Sequence, residues 1–216
     1  MELTNESLQN LRQDYRSAEL SEQDIDQNPI QQFKTWFQQA LDAKLYEPNV
    51  MTLATATAAG IPSARIVLLK GFDDAGFVFY TNYESHKGRE LEENPNAALV
   101  FFWAELERQV RIEGTVSKVD PSVSTAYFHA RPHGSQIGAM VSPQSQVIKS
   151  RAELENHIVI LKEKYADQEV PRPDHWGGYV VKPTSMEFWQ GRPSRLHDRI
   201  RYKLVGGNWI IDRLAP

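Results

Sequence analysis

From Val50 onward the apolar residues recur with a period of two, in short runs broken by turn residues, and that rhythm narrows the fold more than any other feature. Val50 to Thr57, Ser63 to Lys70 and Phe77 to Thr81 read as strands, with turns at Ala59-Gly60-Ile61-Pro62 and Asp73-Asp74-Ala75-Gly76 between them. Ala97 to Trp103 and Gln109 to Val119 continue the set. In the latter, Val110, Ile112 and Val116 form one face and Gln109, Arg111, Glu113, Thr115 and Ser117 the other, the alternation of a half-buried antiparallel strand. Tyr179 to Lys182, Ser185 to Trp189, Arg199 to Val205 and Asn208 to Arg213 follow, the last two joined by the hairpin signal Gly206-Gly207. Strands in succession with turn-length connections imply an antiparallel barrel, closed to remove its edges. The expected class is therefore mainly β with peripheral helices.

Three helices are legible, one before the strands and two among them. Asn28 can cap the first, with Pro29 at its opening position, and Ile30, Phe33, Phe37, Ala40, Leu41 and Leu45 recur at helical spacing until Pro48 ends it. Asp120 and Pro121 start a second that runs to about Ala130. Ser150 and Glu153 form a capping box for a third, in which Leu154, Ile158, Leu161 and Tyr165 share a face. Residues 1–27 are polar, as expected of a mobile arm or lid. With 216 residues and no internal repeat or low-complexity linker, residues 28–216 are expected to form a single domain.

Composition excludes several classes of function. Twenty-four Lys and Arg against 28 Asp and Glu leave a net charge of -4, which argues against a nucleic-acid surface built on charge excess. No apolar run reaches the ~18 residues of a membrane span, and the N-terminus lacks the pattern of a secretory signal, so a cytoplasmic protein is expected. The absence of Cys fits a reducing compartment and rules out thiolate catalysis and Cys-ligated metals. The six His are scattered without HExxH or other close ligand spacing, so no metal is expected.

The chemistry concentrates near the end, where Glu187-Phe188-Trp189-Gln190-Gly191 leads into Arg195-Leu196-His197-Asp198-Arg199. In an extended segment Arg195, His197 and Arg199 project from one face. Solvated charge on a basic strand accounts for any one of them. As a group with two aromatics they suit a flat, anionic, aromatic ligand. Read with Arg65-Ile66-Val67-Leu68-Leu69-Lys70, this segment resembles the pyridoxamine 5′-phosphate oxidase family of FMN enzymes, and the resemblance extends from about Leu11 to Asp212-Arg213-Leu214-Ala215-Pro216.

The resemblance implies an FMN-binding split barrel that works as a homodimer, with both active sites at the subunit interface. It places FMN at Arg65, Ile66, Val67, Leu68, Leu69, Lys70, Tyr80, Thr81, His86, Lys87, Gln109, Gln144, Ser145, Trp189 and Arg199. No glycine-rich loop of the P-loop or Rossmann type is present, so side chains must hold the flavin phosphate. Ser85 can cap the short helix that carries Lys87. Where the family usually shows Ser-Arg-Lys this chain has Ser85-His86-Lys87, replacing a permanently charged fork with an imidazole. Arg65 and Lys70 are an odd number of positions apart and so face opposite sides of an ideal strand, but Lys70 stands before Gly71, where the backbone can turn.

For the substrate, pyridoxamine or pyridoxine 5′-phosphate, the resemblance implies a phosphate clamp of Lys70, Tyr127, Arg131 and Ser135. Tyr127 and Arg131 are four apart at a helix end, and Ser135 lies in a loop, His133-Gly134-Ser135-Gln136. Arg195, Leu196 and His197 would cover the pyridine ring, with Arg12, Gln13, Asp14 and Tyr15 closing over it. Arg195 and His197 would act at the reacting carbon, where a hydride leaves C4′ for the flavin and O₂ is finally reduced to hydrogen peroxide. Other readings are a split-barrel flavoprotein with a different electron donor, a non-catalytic flavin or vitamin-B6 carrier, and a nucleic-acid module stacking bases on Phe101, Phe102 and Trp103. The last is weakened because successive strand residues alternate faces.

Overall fold

The computed structural model describes residues 4–11, 14–15 and 18–216. Two helices come first, α1 (Asn5–Gln9) and α2 (Pro29–Asp42). Strands β1 (Val50–Ala56), β2 (Pro62–Leu68), β3 (Gly71–Asp73) and β4 (Gly76–Asn82) lead to α3 (His86–Glu93), and β5 (Asn96–Trp103) and β6 (Arg108–Lys118) follow. Three helices, α4 (Pro121–Ala130), α5 (His133–Val141) and α6 (Arg151–Lys164), precede β7 (Trp176–Gln190), β8 (Asp198–Val205) and β9 (Asn208–Arg213).

The strands form one sheet in the order β2-β1-β5-β6-β7-β4-β3, with β8 paired to β7 and β9 to β8. The registers of β1 with β2, β3 with β4, β4 with β7, β7 with β8 and β8 with β9 are antiparallel. β2 and β3 end this order, so among the described residues the backbone ladder is not the closed ring expected from strand count; Ile66 on edge strand β2 is 63% exposed. By its internal packing the chain divides into two compact units, residues 1–48, 100–112 and 185–216, and residues 49–99 and 113–184.

In the first unit, Asn28 Oδ1 accepts the Ile30 N–H at 2.8 Å, and Pro29 occupies the first turn where its missing donor costs nothing. Helix α2 buries Ile30, Phe33, Trp36 and Ala40, while Leu41, expected on that face, is largely exposed. The helix stops at Asp42 rather than at Pro48, because Lys44 turns left-handed (φ 55°) and the Leu45 N–H closes back on Ala40 O at 3.2 Å. Phe33 packs on Phe101 at 5.1 Å between ring centres, Trp36 stands edge-on to Phe188 at 5.3 Å, and Phe188 meets Tyr202 at 5.5 Å. Truncating one such ring, as in Phe33→Ala, should cost roughly 3–5 kcal/mol. Gly206 and Gly207, at φ 57° and 85°, make the β8–β9 turn that their sequence announces. Residues 18–27, expected in a mobile arm, include the buried Leu20 and hydrogen-bond to this unit, with Tyr202 Oη donating to Asp26 O at 2.6 Å.

In the second unit, three-residue β3 was too short to show alternation, yet it pairs with β4 across the Asp73-to-Gly76 turn. The expected break in β7 around Pro183-Thr184 is absent, because Thr184 Oγ1 donates to Glu113 O and the strand stays extended alongside β6. Ser85 caps α3, its Oγ accepting the Gly88 N–H at 3.3 Å, and Asp120 caps α4 through the Ser122 N–H at 2.7 Å. Ser150 accepts the Glu153 N–H at 3.4 Å to start α6. Helices α4 to α6 share a core of Phe128, Ile137, Tyr165, Val170 and Trp176, against which Ile158 and Leu161 pack.

Candidate active site

The second unit contains a cavity of about 620 Å³, bounded by β2, β4, α4, α5 and the segment after α5. Lys87 reaches it from the first turn of α3. Its Nζ, buried with the rest of the side chain, donates to Gln144 Oε1 at 2.8 Å and to Thr81 Oγ1 at 3.1 Å. Burial, and then the nearby charge of Arg65, push the Lys87 ammonium down to about 8. These acceptors and the more distant Ser85 Oγ, at 3.5 Å, are neutral, so the charge is hydrogen-bonded without being neutralised.

Arg65 is not among the lining residues. From β2 it donates to Thr55 Oγ1, to Ser63 Oγ and, at 3.2 Å, to Glu90 Oε2. Glu90 is 3% exposed and also accepts from Thr55 at 2.5 Å. Burial works to raise its pKa, but bonds from Ser63 and Thr55, with His86 and Arg65 nearby, overcome that and hold it below the ordinary value. His86, expected at the flavin phosphate, instead sets Nε2 3.4 Å from Glu90 Oε1 and lies outside the cavity lining. Of the other expected flavin positions, Ile66, Val67, Leu68, Lys70, Tyr80, Thr81 and Gln144 line the cavity; Leu69 is buried outside the lining and Ser145 is exposed. The turn before Gly71 does bring Lys70 to the cavity.

The opposite wall comes from α4 and α5. Tyr127, Arg131 and Ser135 all line it, as the four-residue spacing implied. Segment His133-Gly134-Ser135-Gln136, expected as a loop, is the first turn of α5. Pro132 makes the difference: its extended backbone ends one helix and its carbonyl accepts the N–H groups of Ser135 and Gln136 to start the next. Tyr80, Tyr127 and Trp176 stack nearly parallel, with Tyr80 and Tyr127 3.9 Å apart. Arg131 lies 4.6 Å over the Trp176 ring, and its Nη1 is buried with no hydrogen-bond partner among the described residues. Among the described residues no carboxylate lines the cavity, which presents Lys70, Lys87 and Arg131 there without a lining counter-charge.

Gln109, Trp189, Arg195, Leu196, His197, Arg199, Asp14 and Tyr15 belong to the first unit; Arg12 and Gln13 lie outside the described residues. The shared face expected for Arg195, His197 and Arg199 is not formed, because Pro193–Arg195 is a tight turn in which Ser194 and Arg195 are left-handed (φ 56° and 61°) and β8 begins only at Asp198. Arg195 and Leu196 are exposed on that turn. His197 lies 4.6 Å from the Trp189 ring, and Tyr15 meets Trp189 and His197 edge-on at 5.7 and 5.9 Å. The Arg192 N–H donates to His197 Nδ1 at 3.1 Å, which puts the proton of the neutral ring on Nε2. Burial, then the Arg195 charge, lower the His197 pKa. Arg199 is fully engaged: Nε and Nη2 grip Glu187 at 2.9 and 3.1 Å, and Nη1 donates to Ala215 O at 2.7 Å.

Residues 37–163 match the family model described as Pyridoxamine 5′-phosphate oxidase, and residues 176–216 match the Pyridoxine 5′-phosphate oxidase C-terminal dimerisation region. The chain belongs to the pyridoxamine 5′-phosphate oxidase family. A family relative named pyridoxine/pyridoxamine 5′-phosphate oxidase, from Salinibacter ruber, is 61% identical over 97% of this chain and 99% of its own; another from a Cyanothece strain is 58% identical over 97% and 99%. Among solved structures, PhzG from Burkholderia lata 383, in complex with tetrahydrophenazine-1-carboxylic acid, superposes with a TM-score of 0.87 at 32% identity, over 93% of this chain and 100% of that one. A pyridoxamine 5′-phosphate oxidase-related, FMN-binding protein from Nostoc punctiforme shares the fold at a TM-score of 0.67 and 16% identity, over 85% and 97%. The antiparallel split-barrel fold of the pyridoxamine 5′-phosphate oxidase family is thus the fold of this chain.

Sequence reasoning missed Trp176 and Glu90. Trp176 opens β7 directly after Pro173-Asp174-His175, and the glycines Gly177 and Gly178 that follow it hide the alternation of the strand. Glu90 sits in the strongly charged His86–Glu93 helix, where only the spacing of Lys87, Gly88 and Leu91 marks a buried face.

Proposed function

We propose that this chain oxidises pyridoxamine 5′-phosphate and pyridoxine 5′-phosphate to pyridoxal 5′-phosphate, with FMN as cofactor and O₂ as electron acceptor, working as a homodimer in the cytoplasm. The observation that carries this reading is the cavity that, among the described residues, has three cations, no carboxylate and one buried, unpartnered guanidinium nitrogen on Arg131. Such a donor set fits two phosphate groups, one of FMN and one of the substrate. The two relatives named for this reaction support the substrate, and the match of residues 176–216 to a dimerisation region supports the dimer. Among the described residues no helix is long and apolar enough to cross a membrane.

When bound, FMN supplies the two-electron chemistry, accepting hydride from substrate C4′ and returning to its oxidised form with O₂. Lys87, Thr81 and Gln144 would hold the flavin phosphate, with the nearby Arg65 adding positive potential. Arg131, Ser135, Tyr127 and Lys70 would hold the substrate phosphate. The Tyr80–Tyr127–Trp176 stack excludes water beside it. Arg195 would orient the reacting end by charge, and His197, neutral with its proton on Nε2, would donate a hydrogen bond there. Holding the donor carbon in place is the protein's main contribution to rate.

The test is an absorption spectrum of the purified protein followed by a peroxide assay. Visible flavin bands, FMN released on denaturation, and peroxide formed with either phosphate ester are expected. A flavin-loaded protein that turns over neither ester would leave a split-barrel flavoprotein with another donor, or a non-catalytic flavin or vitamin-B6 carrier.

A further inference from the structure

Residues 18–22 are pinned to the first unit by a set of charged contacts that no ligand role accounts for. Arg213 in β9 spends its whole guanidinium there: Nε and Nη2 donate to the two carboxylate oxygens of Glu22 at 2.6 and 2.8 Å, Nη2 also reaches Leu20 O at 2.9 Å, and Nη1 donates to Asp198 Oδ1 at 2.7 Å. Asp198 accepts the Leu20 N–H on its other oxygen at 3.1 Å. Arg192 continues the set, with Nη1 2.6 Å from Glu19 and 3.4 Å from Ala18 O. Leu20, 4% exposed, is the apolar peg in this clasp. An exposed ion pair alone is worth little, but a bidentate fork, backbone bonds and a buried leucine act here on one short segment.

The clasp ends beside the aromatic site. Tyr15 rests against Trp189 and His197, and it lies so close over Gly191 that a Cβ there would come within 2.7 Å of Tyr15 Cβ. The residue that grips Glu19, Arg192, is also the one whose N–H fixes the His197 ring.

We propose that Arg213, with Glu22 and Asp198 as its partners, is a positioning residue that docks residues 18–22 so that Tyr15 covers Trp189 and His197. Its effect on turnover rests on the reading of Arg195 and His197 as the reacting end of the substrate site. The hydrogen bonds of Arg213 go to Glu22, Leu20 and Asp198, all in its own unit. Releasing the clasp lowers the docked fraction, so substrate binding must restore it: KM rises, while the saturated enzyme turns over as before.

The experiment measures KM and kcat for pyridoxamine 5′-phosphate in FMN-loaded Arg213→Ala and Glu22→Ala, alone and combined with Tyr15→Ala. Expected are KM increases of about tenfold and about threefold, kcat within about twofold of wild type, and no further increase when either change is added to Tyr15→Ala. Arg213→Lys, which keeps the charge but not the fork, should restore only part of the loss. Unchanged KM, effects that multiply with that of Tyr15→Ala, or a fall in kcat at constant KM would each overturn the proposal. A second readout needs no turnover: the nuclear Overhauser contact between the Tyr15 ring and the His197 imidazole in flavin-free protein. Its loss in Arg213→Ala supports the clasp even in a protein that oxidises neither B6 phosphate, and its persistence there overturns it.

Discussion

Lys87 Nζ donates to Gln144 Oε1 at 2.8 Å, tying the buried first turn of α3 to the segment that follows α5. The partner is an amide rather than a carboxylate, so an arriving phosphate dianion gains the full charge of the ammonium. Lys87→Ala should weaken FMN binding by roughly 1.5–3 kcal/mol and leave the fold intact. Flavin titration of the apoprotein measures this, and unchanged affinity would remove Lys87 from the phosphate site.

The same burial makes FMN binding depend on pH. Burial and Arg65 hold the unliganded Lys87 ammonium at about 8, so above that pH the apoprotein carries a neutral amine and must take up a proton to bind phosphate. Affinity should fall as pH rises from about 8 towards 10. The stability of the apoprotein runs the other way: with the folded pKa below the unfolded one, the unfolded chain binds more protons between these values, and stability rises across that window. A flavin dissociation constant that stays flat to pH 10 would rule out a protonation requirement at Lys87.

His197 gives a stability change at lower pH. Its folded pKa is depressed, and protonating Nδ1 would break the bond from the Arg192 N–H. The unfolded chain therefore binds the proton more readily, and the His197 contribution to stability is lost as pH falls below the ordinary histidine value. Comparing wild type with His197→Gln by thermal melting from pH 7.5 to 5 checks it; parallel curves would show that the ring does not titrate against this bond.

Arg131 and Arg195 should fail differently in kinetics. Arg131→Ala removes a phosphate grip held equally in ground and transition states and should raise KM mainly. Arg195→Ala should also lower kcat, by about tenfold to a hundredfold, through misplacement of the reacting carbon. Both proteins should stay yellow. Colourless Arg195→Ala protein would move that residue to the flavin.

Glu90 and His86 form the last testable group. Glu90→Gln leaves Arg65 without its carboxylate and should cost roughly 1–3 kcal/mol of stability, measured by denaturant unfolding. Because the His86 ring faces Glu90 from an exposed position, His86→Arg should pair with Glu90 and change FMN affinity by less than about threefold. A larger gain in affinity would mean that an arginine there reaches the phosphate.

The sequence by itself determined the antiparallel strands, the caps at Asn28, Ser85, Asp120 and Ser150, and the Gly206-Gly207 hairpin, because period and capping are local properties of neighbouring residues. It also named Lys70, Lys87, Tyr127, Arg131 and Ser135, which the fold gathers around one cavity. Only the tertiary structure decided that His86 turns to Glu90, that Arg199 is consumed by Glu187 and the Ala215 carbonyl, and that Arg195 sits on a left-handed turn rather than in a row with His197. The four-residue spacing of His86 and Glu90 permits their pairing but does not select it over a ligand phosphate. The Arg199 pair with Glu187 depends on the register of β7 with β8, and the Arg195 turn on backbone angles, and the period of one segment carries no trace of either.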